Sequence, residues 1–317
     1  MATTTTDSTS RGSRRLPEIP RPDHEVAIVG AGFAGMGAAI KLAEIGIEDF
    51  VIIERREDVG GTWRDNTYPG VGVDIPSFTY SYHFDQNPYW SRVFAPGAEL
   101  MKYASDIADR YGLRDRLRLN TSVELAEFDE ERHLWELTLG NGDTLTARFL
   151  ISCHGVLVTP VQPDIPGLDS FRGKILRSAS WDHSYDYTGK RVAVIGTGAS
   201  ALQIIPAIAE RTARVDVYQR TPIWVIPKID PRIPRAVQWA FARVPLAQRT
   251  VRTATTAISD GVVILAAVYN KQLPFLAQAM AAVCRLQLRI QVRDARTRRK
   301  LTPQYGFGCK RPSFSNT

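Results

Sequence analysis

Residues 25–46 read EVAIVGAGFAGMGAAIKLAEIG, and residues 190–209 read KRVAVIGTGASALQIIPAIA. Each passes from a short apolar strand through a glycine turn into a helical apolar pattern. Gly30-Ala31-Gly32-Phe33-Ala34-Gly35 is GxGxxG in the place where a dinucleotide needs it. The first glycine allows the tight turn, and the second lets backbone approach a pyrophosphate. The third lets helix pack on strand, while the helix N-terminus offers N–H groups and a dipole to the anion. FVIIER (50–55) supplies the next buried strand, with Glu54 at its end, where an acid binds ribose hydroxyls.

The second copy lies 166 residues on, as Gly196-Thr197-Gly198-Ala199-Ser200-Ala201. Its following strand, RVDVYQRT (214–221), ends in Gln219-Arg220-Thr221 and not in an acid. A cation and a hydroxyl suit a 2′-phosphate, which points to NADPH over NADH. Two dinucleotide sites in one chain imply electrons passing between two cofactors, and the usual pair is NADPH and FAD.

Working outward, the fold class is α/β: two Rossmann-like units, a small antiparallel β insert and an inserted helical subdomain. Within 62–94 Gly, Pro, Tyr and Trp dominate and periodicity is weak, which reads as a long functional loop with short helical pieces. Residues 100–111 read as helix. Trp135, Leu137 and Leu139 alternate with polar residues, Asn141-Gly142 marks a hairpin turn, and Leu145, Ala147 and Phe149 resume the alternation. Residues 232–300 read as mostly helical, broken by Pro234, Pro245 and Pro274, with Leu265, Val268, Leu273, Leu276 and Met280 as core. Arg285, Arg289, Arg293 and Arg296 fall on one helix face.

The resulting boundaries are a disordered leader (1–22), an FAD-binding domain (23–157), a linker (158–187), the first part of an NADP-binding domain (188–231), the helical subdomain (232–300) and a return to the NADP-binding domain (301–317). A chain of 317 residues suits two domains.

Composition excludes other classes. The net charge of +7 is uneven, since 221–317 hold 16 Lys/Arg against Asp230, Asp260 and Asp294. Such a half attracts phosphates, nucleic acid or an anionic membrane, or is a solvated helix face. No nucleic-acid-binding motif accompanies it. Three cysteines, Cys153, Cys284 and Cys309, show no CxxC or paired spacing, which excludes a disulfide scaffold and fits a reducing, cytoplasmic setting. The five histidines show no metal-ligand spacing, so no metal is expected. No apolar run reaches the length of a membrane span; the closest is 261–269. The first 20 residues lack the apolar core of a secretory signal.

Three segments carry a resemblance. Gly60-Gly61-Thr62-Trp63 through Tyr68-Pro69-Gly70 to Asp74 matches GGxWxxxxYPGxxxD. FRGKILRSASWD (171–182) approximates FxGxxxHxxxW(P/D), with Arg177 at the histidine position. Lys310-Arg311-Pro312 supplies a KRP triplet. The chain thereby resembles the Baeyer–Villiger monooxygenases, relatives of the N- and S-oxygenating flavin monooxygenases. The resemblance implies an FAD- and NADPH-dependent enzyme that inserts one oxygen of O2 into a small apolar ketone through a C4a-peroxyflavin. Arg311 would be the cation that keeps the oxygen anion, with Asp74 orienting it. Gly61, Thr62, Trp63, Tyr68 and Asp74 would line the flavin. Lys310 would join Arg220 and Thr221 on the 2′-phosphate, and Gln203 would reach the NADP pyrophosphate or nicotinamide. Arg177 bears on coupling between the domains. The family pattern also continues beyond KRP, so the FAD domain is expected to lack its last strand and helix. An inactive fragment is the alternative reading, as is N- or S-oxygenation.

Overall fold

The computed structural model describes residues 21–156, 159–161, 163–310 and 312–316, with backbone alone at 262–264. The expected leader lies almost wholly outside the described residues.

The first glycine stretch forms strand β1 (His24–Val29), helix α1 (Phe33–Glu44) and strand β2 (Phe50–Ile53). Every β2 side chain is buried, as an apolar run at the centre of a parallel sheet must be. Helix α2 (Thr62–Asp65) is one turn in the long loop, and α3 (Gly97–Arg110) follows it. Strands β3 (Leu117–Arg118), β4 (Val123–Asp129), β5 (Leu134–Leu139) and β6 (Thr144–Ser152) complete a six-stranded sheet of order β3-β2-β1-β6-β5-β4. Strand β6 serves both halves. Its first part pairs antiparallel with β5, its second pairs parallel with β1, and Ala147 stands opposite both His24 and Trp135. The hairpin at Asn141-Gly142 is a four-residue loop, in which Gly142 alone takes the left-handed conformation (φ +88°).

The second glycine stretch forms β7 (Arg191–Ile195), α4 (Ala199–Ala209) and β8 (Arg214–Tyr218), with β7 and β8 parallel. A separate parallel pair joins β9 (Val225–Pro227) to β10 (Ser313–Ser315).

Between them lie α5 (Arg235–Arg243), α6 (Pro245–Ile258), a π-helical turn (Ser259–Ile264), α7 (Leu265–Val268), α8 (Pro274–Gln291) and α9 (Ala295–Leu301). The prolines start helices and do not interrupt them. Pro234 is the N-cap of α5, and Pro245 and Pro274 take the first positions of α6 and α8, where a missing N–H costs nothing. Two expectations are corrected. Leu265 and Val268 are exposed, and the core there is Ala266, Ala277, Ala281 and Cys284 against Trp224 and Phe307. The basic run is two helices, because the chain leaves α8 at Val292 and Asp294 caps α9 by accepting Thr297 N–H at 2.6 Å. Arg296 therefore does not continue the α8 face.

The stretch Pro245–Val268 is long and apolar enough to cross a membrane by length and composition. One side of α6 is nonetheless fastened to the first unit. Arg252 donates to the Phe78 and Ser81 carbonyls at 2.5 and 2.9 Å, and Gln248 donates to the Asn87 carbonyl at 2.7 Å. Phe241 of α5 packs edge-on against Phe78 at 5.5 Å and joins the first unit's core.

Candidate functional site: two glycine loops joined by one segment

Gly30 takes φ +102°, and a Cβ there would lie 2.5 Å from the Cys153 carbonyl oxygen, so only glycine fits. At Gly35 a Cβ would meet the Gly30 carbonyl oxygen at 1.8 Å, which is the close helix-to-strand approach that the third glycine permits. Gly32 differs: its nearest neighbour is Gly61 Cα at 3.7 Å. Gly198 has no atom within 4 Å of its Cβ position. These second glycines face room that a pyrophosphate would occupy. Gly32 and Gly198 are the N-caps of α1 and α4, neither helix has a side-chain cap, and neither has an acid in its first turn. Both helix ends thus present uncompensated N–H groups and a positive dipole end. Phe33 and Ala34 open α1, as Ala199 and Ser200 open α4. The residues present fit the phosphates of two dinucleotides.

Glu54 is buried and turns back to the first loop. Its two carboxylate oxygens accept Ala31 N–H at 2.7 Å and Arg56 N–H at 2.9 Å. Each oxygen keeps a lone pair for a ribose hydroxyl. Gly196 takes φ +108°, and Thr197 Oγ1 reaches the Thr221 carbonyl at 3.4 Å, holding the second loop beside Arg220 and Thr221. Arg220 is exposed. Lys310 lies 5.1 Å from the Tyr305 ring, and the Tyr305 hydroxyl donates to the Pro222 carbonyl at 2.8 Å. The structure therefore brings Lys310 to the same end as Arg220 and Thr221.

The segment 60–74 ties the loops together. Gly61, at φ +53°, abuts Gly32, with Thr62 and Trp63 opening α2 behind it. Trp63 is buried and donates its indole N–H to the Tyr80 hydroxyl at 3.1 Å. At the far end Gly70 is pressed on α4, since a Cβ there would lie 2.4 Å from the Gln203 carbonyl oxygen. Gln203 is committed to this segment. Its Oε1 accepts the Tyr68 hydroxyl at 3.0 Å and its Nε2 donates to the Gly72 carbonyl at 2.9 Å. The structure thus places its amide between Tyr68 and the Gly72 carbonyl of this segment.

Asp74 is half-buried at the end of the segment. Burial, and then the charge of Asp74, push the Tyr68 and Tyr80 phenols above the ordinary tyrosine range, against hydrogen bonds from Ser200 and Trp63 respectively. Arg311 lies outside the described residues. One group near Asp74 escaped the sequence reading: Lys228, half-buried, donates to the Val73 carbonyl at 3.2 Å. It sits in WVIPKID with no motif to mark it, among 16 cations in its third of the chain. Arg177 closes a turn with Ser180 in the linker, where Ser180 N–H donates to the Arg177 carbonyl at 3.2 Å.

Two glycine loops on parallel-sheet units, both suited to dinucleotides, define an oxidoreductase class, and residues 27–282 match its family description. The chain belongs to the pyridine nucleotide-disulphide oxidoreductase family. Within that class its similarity runs to particular enzymes. It is 42% identical over 292 residues to a Baeyer–Villiger monooxygenase of Streptomyces coelicolor, covering 92% of this chain and 55% of that protein. A Baeyer–Villiger monooxygenase of Pseudomonas aeruginosa is 43% identical over 295 residues, with the same coverages of 92% and 55%. Among solved structures, OTEMO in complex with FAD and NADP superposes with a TM-score of 0.79 at 30% identity, over 93% of this chain and 63% of that one. Oxidized steroid monooxygenase bound to NADP gives 0.80 at 31% identity, over 92% and 62%. The chain spans about half the length of the curated relatives it matches.

Proposed function

We propose that this chain is the nucleotide-binding part of an NADPH- and FAD-dependent monooxygenase that inserts one oxygen of O2 beside the carbonyl of a small apolar ketone, giving an ester or lactone. The observation that carries this reading is the segment 60–74, which lies on Gly32 at one end and on Gln203 of α4 at the other. A single stretch of backbone thereby sets the distance between the two dinucleotide loops, as direct hydride transfer between two cofactors needs. Residues 23–157 are the FAD-binding domain in this reading, and 188–231 with 301–317 belong to the NADP-binding domain.

Gly30, Gly32, Gly35, Gly61 and the α1 N-terminus take the FAD pyrophosphate, and Glu54 its ribose. Gly196, Gly198 and the α4 N-terminus take that of NADPH, while Arg220, Thr221 and Lys310 take its 2′-phosphate. When bound, the flavin accepts hydride from NADPH and activates O2. The chain's own residues shape the surroundings of that chemistry. Trp63 and Tyr68 exclude water from the flavin side, Arg311 supplies a cation that cannot be deprotonated for the charge developing on oxygen, and Asp74 orients that cation.

The test is the visible spectrum of the purified protein with FAD before and after anaerobic NADPH, then product analysis on cyclic ketones in air. Bleaching followed by lactone is the expected result, with NADH much the poorer donor. Bleaching followed only by N-oxides or sulfoxides would replace the ketone reading with amine or sulfide oxygenation. A protein that takes up no FAD would overturn the enzyme reading for this chain.

A further inference from the structure

Lys228 lies where the two units meet. It follows β9, whose Pro227 stands opposite Ser315 of β10, and its own N–H donates to Asn316 Oδ1 at 2.8 Å. The side chain crosses into the first unit. Nζ donates to the Val73 carbonyl at 3.2 Å and lies 4.9 Å from the centroid of the Phe94 ring. The charges that act on the ammonium through space are those of Asp230, Asp74 and Arg92. Asp230 already has other work: its carboxylate meets Arg92 Nε at 2.9 Å and accepts Phe94 N–H at 2.9 Å. Burial pushes the ammonium below the ordinary lysine range, while Asp230 and then Asp74 hold it up.

The Val73 carbonyl and the Asp74 N–H belong to one planar peptide group. A donor on that oxygen fixes the plane from which Asp74 departs. The two preceding attachments are fixed as well, because Val73 N–H donates to the Ala95 carbonyl at 3.1 Å and Gln203 donates to the Gly72 carbonyl at 2.9 Å. Lys228 is the charged one of these anchors, and the one that comes from the strand beside β10.

We propose that Lys228 is the positioning residue of Asp74: by its hydrogen bond to the Val73 carbonyl, whose peptide group carries the Asp74 N–H, it lets strand β9 set the direction of the acid at the oxygenation site. This rests on the reading of Asp74 given under Proposed function.

The test uses the FAD-loaded enzyme and three variants. K228M keeps length and loses donor and charge, K228R keeps both, and D74N removes the acid. In K228M, anaerobic bleaching by NADPH stays within about twofold of the parent, while product formed per NADPH falls about tenfold; K228R recovers most of it. In a D74N background, K228M costs less than about twofold more, because the two act as a unit. Losses that multiply, or a K228M loss shared equally by bleaching and oxygenation, would overturn the proposal.

A second readout needs no catalysis. Lysines are reductively methylated with 13C, the Lys228 resonance is assigned by its absence in K228M, and its titration is followed by NMR. D74N moves its midpoint to lower pH, since a stabilising negative charge is gone. An unmoved midpoint would place the Asp74 carboxylate away from Lys228 and overturn the proposal. A parent enzyme that bleaches yet oxygenates no ketone would sink the ketone reading alone, and this titration would still decide whether Lys228 acts on Asp74.

Discussion

The two glycine units carry one fingerprint and are held in different ways. In the first, β2 is wholly buried and Ile28 of β1 is sealed from solvent at 0% exposure. In the second, Ile195 of β7 and Tyr218 of β8 are 62% and 61% exposed. The third position of the fingerprint shows the same split. Gly35 has no room for a Cβ, whereas the second unit carries Ala201 there and buries it. The first loop is fixed by its own sheet, through Cys153 behind Gly30 and through Glu54 on Ala31. The second shares a sheet anchor, Gly196 N–H donating to the Tyr218 carbonyl at 2.9 Å, and its helix gains attachments from the first unit, Tyr68 and Gly72 on Gln203. A shared motif therefore specifies a phosphate cradle without specifying what makes the cradle rigid.

The sharpest way to break this comparison is to exchange the third residues. Gly35→Ala forces a methyl onto the Gly30 carbonyl, and destabilisation beyond about 4 kcal/mol is expected, with loss of the first unit's cooperative unfolding. Ala201→Gly adds only backbone freedom inside a helix and should cost about 1 kcal/mol. Urea unfolding of both variants measures the difference. Equal costs would mean that the two loops are built alike. Truncation in the strands sharpens the same contrast. Ile28→Ala should cost about 2–5 kcal/mol as a core cavity. Val217→Ala, 45% exposed in β8, should cost under about 1 kcal/mol.

The attachments between units come next in size. Gln203→Ala leaves the Gly72 carbonyl without that donor and the Tyr68 hydroxyl without its glutamine acceptor, at a cost of about 1–3 kcal/mol. Tyr68→Phe added to it should cost much less than Tyr68→Phe alone, because the shared bond is already gone. Full additivity in denaturant unfolding would show that the two side chains do not hold each other.

How far each region was legible in the sequence depended on the range of the forces involved. Strand, turn and helix of each unit come from local periodicity and from glycines whose φ no other residue tolerates, so 25–55 and 190–221 read correctly. The hairpin return into β6 was legible for the same reason, since alternation in 135–149 tracks one face of a sheet. The helical stretch 232–300 misled where apolar spacing was taken for burial. Leu265 and Val268 keep helical spacing yet face outward, while Ala266, Ala277 and Ala281 make the buried contact with Trp224 and Phe307, with Leu276 and Met280 packed beside them. The contacts of Gln203 and the place of Lys228 were hidden for another reason. Their partners lie 131 and 155 residues away in sequence, and no local pattern encodes a hydrogen bond to a main-chain carbonyl.

The smallest expected effect lies in the linker between the units and is read by pH. Asp182 is held by Lys174 Nζ at 2.6 Å and accepts the Ser184 hydroxyl and N–H at 2.5 and 3.0 Å. These contacts, the lysine first, bring its carboxyl down from 3.8 to about 2. A depressed carboxylate contributes stability that is fully present above the unfolded value of 3.8 and is lost as pH falls through about 2. The pair is solvent-exposed, so screening keeps its contribution small. Asp182→Asn should therefore unfold at a slightly lower temperature than the parent at neutral pH, and the gap should close between about pH 4 and pH 2. Salt should narrow the gap at neutral pH as well, since an exposed pair is screened within a Debye length. A gap that persisted unchanged below pH 2 would mean that Asp182 holds the linker through its shape and its Ser184 contacts, and that the charge on Lys174 contributes nothing.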